Sequence, residues 1–182
     1  MKQIFDDLYE RYHQDMYKYV FYLVKNREQT EDIIQEVYIR VLKSYHTFKG
    51  DSSEKTWLFS IARHVTLDHF RKMKRKRDRV LEFFNWNEHE SNIKSTEPIP
   101  EEVAIKNEEA AQLYQSLNVC TNDQKQVILL RFLYDFSIDE TAKILGFSIS
   151  KVKTTQHRAL KILKKYYNST YDKEGEDFDK QA

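Results

Sequence analysis

Of the 182 residues, 30 are Lys or Arg and 29 are Asp or Glu, so about a third of the chain is charged while the formal net charge is only +1. A 40% hydrophobic and 14% aromatic content is too high for a wholly disordered chain and suffices for one or two small cores, while three Gly and two Pro supply too few turns for an all-β or Rossmann-type fold. Short apolar runs, an amino-terminal segment that meets Asp6 and Asp7 before any apolar core, and the single cysteine, Cys120, argue against a spanning helix, a signal peptide, an intrachain disulfide and a multi-cysteine zinc site, so a cytoplasmic, reducing setting is expected.

The elements read as helices in chain order. From about Gln3 to Lys25, Ile4, Leu8, Tyr12, Met16, Tyr19 and Leu23 recur at spacings of three and four, the signature of an amphipathic helix. Thr30, followed by Glu31 and Asp32, reads as the N-cap of a second helix running to about Tyr45, with Ile33, Val37, Val41 and Tyr45 on one face. A polar loop from Phe48 to Ser53 contains Gly50, and Ser53 caps a third helix through Trp57, Ile61 and Val65 toward Met73. Residues from about Arg79 to Glu102 are rich in Asn, Ser, Thr and acids, hold both prolines, and lose the helical period. Beyond them, Thr121 with Gln124 and Ser137 with Glu140 each spell a capping box, and Ser148 caps a last long helix. The expected organisation is all-α: two small helical domains, 1–79 and 103–167, joined by a flexible linker over 80–102 and followed by a polar, disordered tail over 168–182.

Charge is sorted along this plan. Residues 71–79 carry seven basic side chains against Asp78, and residues 150–166 carry six against no acid, so each run has a net charge of +6 and the rest of the chain totals −11. One basic helix in each domain points to a polyanion partner. In the last third, Ala142, Gly146 and Val152 are spaced as a helix-turn-helix requires: a small residue for close approach, a glycine for the left-handed end of the first helix, and an apolar residue packing the second back onto it. Ile138, Leu145 and Leu160 are placed on the same apolar side. The outward side of the second helix then offers Lys151, Lys153, Thr154, His157, Arg158 and Lys161, donors suited to base edges and phosphates in a major groove.

In the first domain, Asp32, Gln35, Glu36, Ile39 and Arg40 form a polar face with an apolar insert, opposite the core stripe of helix two. Phe48 in its glycine-containing loop, and polar groups beside a cationic helix, suit single-stranded or melted DNA, whereas Trp57 reads chiefly as a core residue. The order of these motifs, from Asp32-Ile33-Ile34-Gln35-Glu36 through Phe48-Lys49-Gly50, Thr56-Trp57-Leu58, Ile61-Ala62-Arg63-His64 and Asp68-His69-Phe70-Arg71-Lys72, resembles region 2 of the extracytoplasmic-function (ECF) family of bacterial RNA polymerase sigma factors. The terminal helix-turn-helix resembles region 4 of the same family, and the likeness spans residues 5–167, most similar to the sigma-X type of Bacillus and relatives.

The resemblance implies a promoter-specificity subunit with two polymerase contacts, the β′ clamp and the β flap. It assigns Asp32, Gln35, Glu36, Ile39 and Arg40 to the clamp. It assigns Phe48, Lys49, Ser52, Ser53, Lys55, Arg63, His64, Arg71 and Lys72 to recognition and melting of the minus-10 element. Ser150, Lys151, Lys153, Thr154, His157, Arg158 and Lys161 would read the minus-35 element, and an anti-sigma factor, often membrane-anchored in this family, would sequester the protein. Thr154-Thr155-Gln156-His157, and His64 where relatives commonly carry asparagine, depart from the family pattern and leave the promoter sequence open. A self-sufficient repressor or activator is the competing reading, disfavoured by the second basic helix. An enzyme is weaker: Asp6-Asp7 and Glu31-Asp32 are sequence neighbours that point about 100° apart on a helix, and there is no Gly-rich phosphate loop. No catalytic residue, metal or cofactor is expected.

Overall fold

The computed structural model describes residues 2–84 and 115–178, with side chains described from Phe5 to Asp78 and from Gln115 to Ser169. The described residues contain helices and no strand, and no described helix is long and apolar enough to cross a membrane. The chain divides into two compact units, Met1–Val103 and Ala104–Ala182. Residues 85–114, which include most of the expected linker and the start of the second expected domain, lie outside the described residues.

Unit 1 is built from α1 (Lys2–Val24), α2 (Arg27–Ser44) and α3 (Glu54–Phe84), with a 3-10 turn at Tyr45–Thr47. The stripe of α1 buries Leu8, Met16, Tyr19, Val20 and Phe21, while Tyr12 and Leu23 are only half-buried. The expected Ile4 side chain lies outside the described residues. Ile33, Val37 and Val41 of α2 meet this stripe as their spacing requires, joined by Ile34 and Tyr38. On α3 the buried set is Thr56, Leu58, Phe59, Ala62, Val65 and Thr66, whereas Trp57 and Ile61 sit at its margin, so the core face is rotated slightly from the expected one.

One helix start differs from the sequence reading. The N-cap of α2 is Asn26, whose side chain accepts from the Gln29 N–H at 2.8 Å, and not Thr30. Lys25, at φ 57°, turns the chain out of α1 and delivers Asn26 in extended conformation, which leaves Thr30 inside the first turn. There Thr30 is fully buried and its hydroxyl donates to the Asn26 carbonyl at 2.7 Å.

Unit 2 comprises a 3-10 turn at Leu117–Val119, α4 (Asn122–Ile128), a π-helical turn at Leu129–Leu133, α5 (Ile138–Leu145) and α6 (Ile149–Phe178). Both expected capping boxes are formed, at Thr121 with Gln124 and at Ser137 with Glu140. Gly146 takes the left-handed conformation (φ 60°, ψ 34°), and the Phe147 N–H reaches the Ala142 carbonyl at 3.0 Å, closing α5 in a Schellman motif. Ser148 accepts from the Lys151 N–H at 3.1 Å and starts α6. Ala142, Leu145, Val152 and Ala159 are buried along the α5–α6 seam. Leu160 is not: it is 43% exposed, because Val152 and Ala159, two turns apart, hold the seam and the next residue rotates about 100° away from it. Helix α6 continues through Phe178, ten residues past Asn168, where the sequence reading began an unstructured tail.

Candidate nucleic-acid interface

The second helix of the helix-turn-helix is the first part of α6. Ser150, Lys151, Lys153, Thr154, His157, Arg158 and Lys161 are all exposed, and the same turns bury Val152 and Ala159, so the basic set occupies the side turned away from α5. Seated by Gly146 and Ser148 at its start, the helix presents a cationic surface of roughly three turns at a fixed angle to α5. Lys151 is partly committed within the unit. Its ammonium lies 3.1 Å from Asp123 Oδ2 of α4 and 3.4 Å from the centroid of the Phe147 ring. Gln156 faces inward on the flank and accepts from Arg131 Nε at 3.2 Å, while Arg131 Nη1 also donates to the Phe136 carbonyl. Arg131 thereby ties the π-helical turn and the loop after it to the middle of α6, a role that no local motif signals.

In unit 1 the basic run lies on α3, where every residue from Phe70 to Asp78 is exposed. An unbroken exposed stretch over two helical turns means that this part of α3 stands clear of the α1–α2 core, with Phe70 and Met73 exposed among the cations. At its base Asp68 receives Arg71 at 3.2 Å and, from α2, Arg40 at 3.2 Å. Burial works to raise the Asp68 carboxyl, but hydrogen bonds and charge from Arg40 and Arg71 outweigh it and hold the group below the usual aspartate range. His69 bonds to Gln29 Oε1 at 3.1 Å, and burial lowers its pKa.

The loop before α3 packs its aromatic against neighbouring rings. Phe48 is half-buried, its ring 5.0 Å from that of Trp57 and 6.3 Å from that of Tyr45, because the 3-10 turn hydrogen bond from the Phe48 N–H to the Tyr45 carbonyl folds the ring back under the loop. It floors the loop instead of standing free. Ser53 is the N-cap of α3, its hydroxyl accepting from the Thr56 N–H at 3.1 Å and bonded to the Thr56 hydroxyl at 2.8 Å. Lys49, Gly50 and Asp51 are the exposed residues of the loop tip, with Ser52, Lys55 and Arg63 half-buried behind them. His64 is exposed on α3, and its Nδ1–H donates to the Ser60 carbonyl at 2.6 Å. The carbonyl can only accept, so that bond places a proton on Nδ1.

On α2, Asp32 and Gln35 are exposed, Ile39 is 44% exposed and Leu42, one turn further on, 47%. Glu36 and Arg40 pair at 3.0 Å, so Arg40 bridges this face to Asp68. Leu42 carries no motif of its own, but its spacing of three from Ile39, off the Val37–Val41 stripe, places it on the same face. Beside this face His13, Gln14, Tyr17, Glu31, Ile34 and Gln35 line a groove of about 470 Å³ between α1 and α2. His13 stacks on Tyr9 at 4.3 Å and hydrogen-bonds the Tyr38 hydroxyl at 3.2 Å, and burial lowers its pKa. Among the described residues no group of His, Cys, Asp or Glu could hold a metal ion.

Comparison with known proteins covers both units. The family description "Sigma-70 region 2" matches residues 8–76, and "Sigma-70, region 4" matches residues 110–163. The ECF RNA polymerase sigma factor SigX of Bacillus subtilis is 54% identical over 166 residues, 91% of this chain and 84% of that protein. The RNA polymerase sigma factor YlaC of the same organism is 33% identical over 94% of this chain and 95% of its own length. Among solved structures, the sigma factor RpoE in complex with the anti-sigma factor NepR, from Bartonella quintana, aligns with a TM-score of 0.66 at 21% identity, over 92% of this chain and 98% of that one. CnrH in complex with the cytosolic domain of CnrY aligns at a TM-score of 0.64 and 18% identity, over 93% of this chain and 90% of that one, a likeness of fold.

Proposed function

The chain belongs to the ECF family of RNA polymerase sigma factors, and from that membership we propose a division of labour: unit 1 docks on core polymerase and captures the opened minus-10 element, while unit 2 reads the minus-35 element as duplex. The observation that carries this reading is the presence of two exposed basic helical surfaces of different kind, one in each unit. Around α6 the donors line one side of a helix seated by a helix-turn-helix, the arrangement that enters a major groove. Around α3 the cations are followed back along the helix by His64, a polar ring, and by the loop tip Lys49–Asp51, an arrangement suited to bases already out of the stack.

In this reading Ser150, Lys153, Thr154, His157, Arg158 and Lys161 contact the minus-35 duplex. Lys49, Ser52, Lys55, Arg63, His64, Arg71 and Lys72 face the minus-10 strand, with Phe48 and Ser53 shaping the loop from beneath and behind. Asp32, Gln35, Glu36 and Ile39, together with Leu42, form the face that meets the polymerase β′ clamp, with Arg40 fixing that face to α3. Unit 2 also takes the β flap. The acidic remainder of the chain, −11 outside the two basic runs, opposes non-specific approach to DNA, so tight promoter binding belongs to the holoenzyme and not to the free subunit. An anti-sigma factor is a further partner, in line with the complex that the structural relative RpoE forms with the anti-sigma factor NepR.

Assembly tests the reading. The full chain is expected to co-elute with core polymerase from its source bacterium and to footprint promoter DNA only in that complex. High-affinity, sequence-specific footprinting by the chain alone would favour the repressor reading instead.

A further inference from the structure

We propose that Asp123 is a specificity-tuning residue: it holds Lys151 away from DNA phosphates and so lowers non-specific duplex binding by the recognition helix. Lys151 sits in the first turn of α6, at the edge of the cationic surface, and by charge and position it is a phosphate contact. Its ammonium is engaged on two sides, by Asp123 Oδ2 at 3.1 Å and by the Phe147 ring face at 3.4 Å from the centroid. Phe147 is positioned by the Schellman turn and Asp123 by the capping box of α4, so the cradle is built from two helix ends and does not depend on a chance rotamer. Both charges remain about half exposed, 48% and 51% for the two side chains.

A phosphate approaching Lys151 therefore meets a carboxylate that already occupies part of the lysine's donor capacity and repels the phosphate directly. At a specific site the other contacts of the helix can overcome this opposition. At a non-specific site, where phosphate contacts supply nearly all the affinity, it removes one of them. Asp123 thus acts on the ratio of specific to non-specific binding more than on specific affinity. The inference rests on the reading of α6 as the duplex-contacting helix.

The test uses the full 182-residue chain and a fluorescent duplex without promoter elements, with binding followed by anisotropy from 50 to 200 mM salt. Asp123→Asn is expected to bind more tightly and to steepen the log–log salt slope by about 0.9, the release expected for one added phosphate contact. Its advantage over the unmodified chain should therefore shrink about three- to fourfold across that salt range. Asp123→Asn in a Lys151→Gln background should show little of the gain. Asp135→Asn, the same charge change at an exposed residue whose φ of 57° asparagine accepts, should raise affinity less and leave the slope unchanged. Melting curves of each variant confirm that the fold is intact. If Asp123→Asn leaves affinity and slope unchanged while Arg158→Ala weakens binding, the tuning role is wrong and the helix reading stands. The same gain in the Lys151→Gln background would also overturn the role, because general charge would then explain it. Indifference of duplex binding to Arg158→Ala as well would remove the helix reading and this inference with it.

Discussion

Truncation of Phe48 separates packing from base capture, because the ring lies against Trp57 at 5.0 Å and Tyr45 at 6.3 Å while His64 stands exposed on α3. Phe→Ala in a full core costs about 3–5 kcal/mol, and half-burial brings the expected loss for Phe48→Ala to about 2 kcal/mol. In a unit of this size that lowers the melting temperature by roughly 10 °C. Trp57, the one tryptophan among the described residues, lies against Phe48 on α3, so tryptophan fluorescence excited apart from tyrosine reports on this packing. His64→Ala, by contrast, removes a surface ring bonded to a helix carbonyl and should change stability by no more than about 0.5 kcal/mol. In the holoenzyme, His64→Ala should slow opening of an intact promoter more than formation of the closed complex, and a template already mismatched across the minus-10 element should restore part of the rate. Phe48→Ala should follow its stability loss and regain opening when assayed well below its melting temperature. A Phe48→Ala chain that melts within about 2 °C of the unmodified protein yet cannot open DNA would refute the packing assignment. Normal opening by a stable His64→Ala chain would remove this stretch of α3 from the melting element.

Further expectations concern the other surfaces. Gly146→Ala adds a Cβ that meets nothing within 4 Å, so its cost is the left-handed backbone alone, about 1–2 kcal/mol in urea unfolding of unit 2, and Gly146→Asn should recover part of it. Asp32→Lys reverses an exposed charge and should weaken core polymerase binding about tenfold at unchanged melting temperature; Glu36→Lys should do the same but also sets a lysine beside Arg40. Arg158→Ala and Lys153→Ala, compared on promoter libraries, should separate a base reader, costing roughly 1–3 kcal/mol at one minus-35 position, from a phosphate contact that weakens all sequences alike. Burial disfavours the charged form of His13, so its contribution to stability is complete above the ordinary histidine pKa of about 6.5 and is lost as pH falls through the lower native value. An NMR titration of its ring should give a midpoint below 6.5, and His13→Gln should flatten that part of the stability profile.

The parts of the fold legible in the sequence are those decided within one turn of chain. Thr121 with Gln124, Ser137 with Glu140, Gly146 and Ser148 each act on backbone groups three to five residues away, so residue type and spacing carry the geometry. Where two local solutions compete, the choice falls to tertiary structure. Both Asn26 and Thr30 can cap a helix, and burial of Thr30 against the core selects Asn26. Phe48 reads as a free aromatic in a polar loop until the 3-10 turn brings it under Trp57, nine residues away. The contacts that orient the candidate surfaces are longer still. Arg40 with Asp68, Lys151 with Asp123 and Arg131 with Gln156 join residues 25 to 28 positions apart on different elements, and no spacing rule within either element predicts them.

The claim that two basic helices read different states of one promoter can be tested with a photocrosslinking amino acid placed at position 64 or at position 158 of the full chain, assembled with core polymerase on promoter DNA. At position 158 it should capture minus-35 duplex in closed and open complexes alike. At position 64 it should capture the non-template strand of the minus-10 element only after opening. Capture of the same element from both positions, or capture at position 64 that does not depend on opening, would contradict the division of labour between the two units.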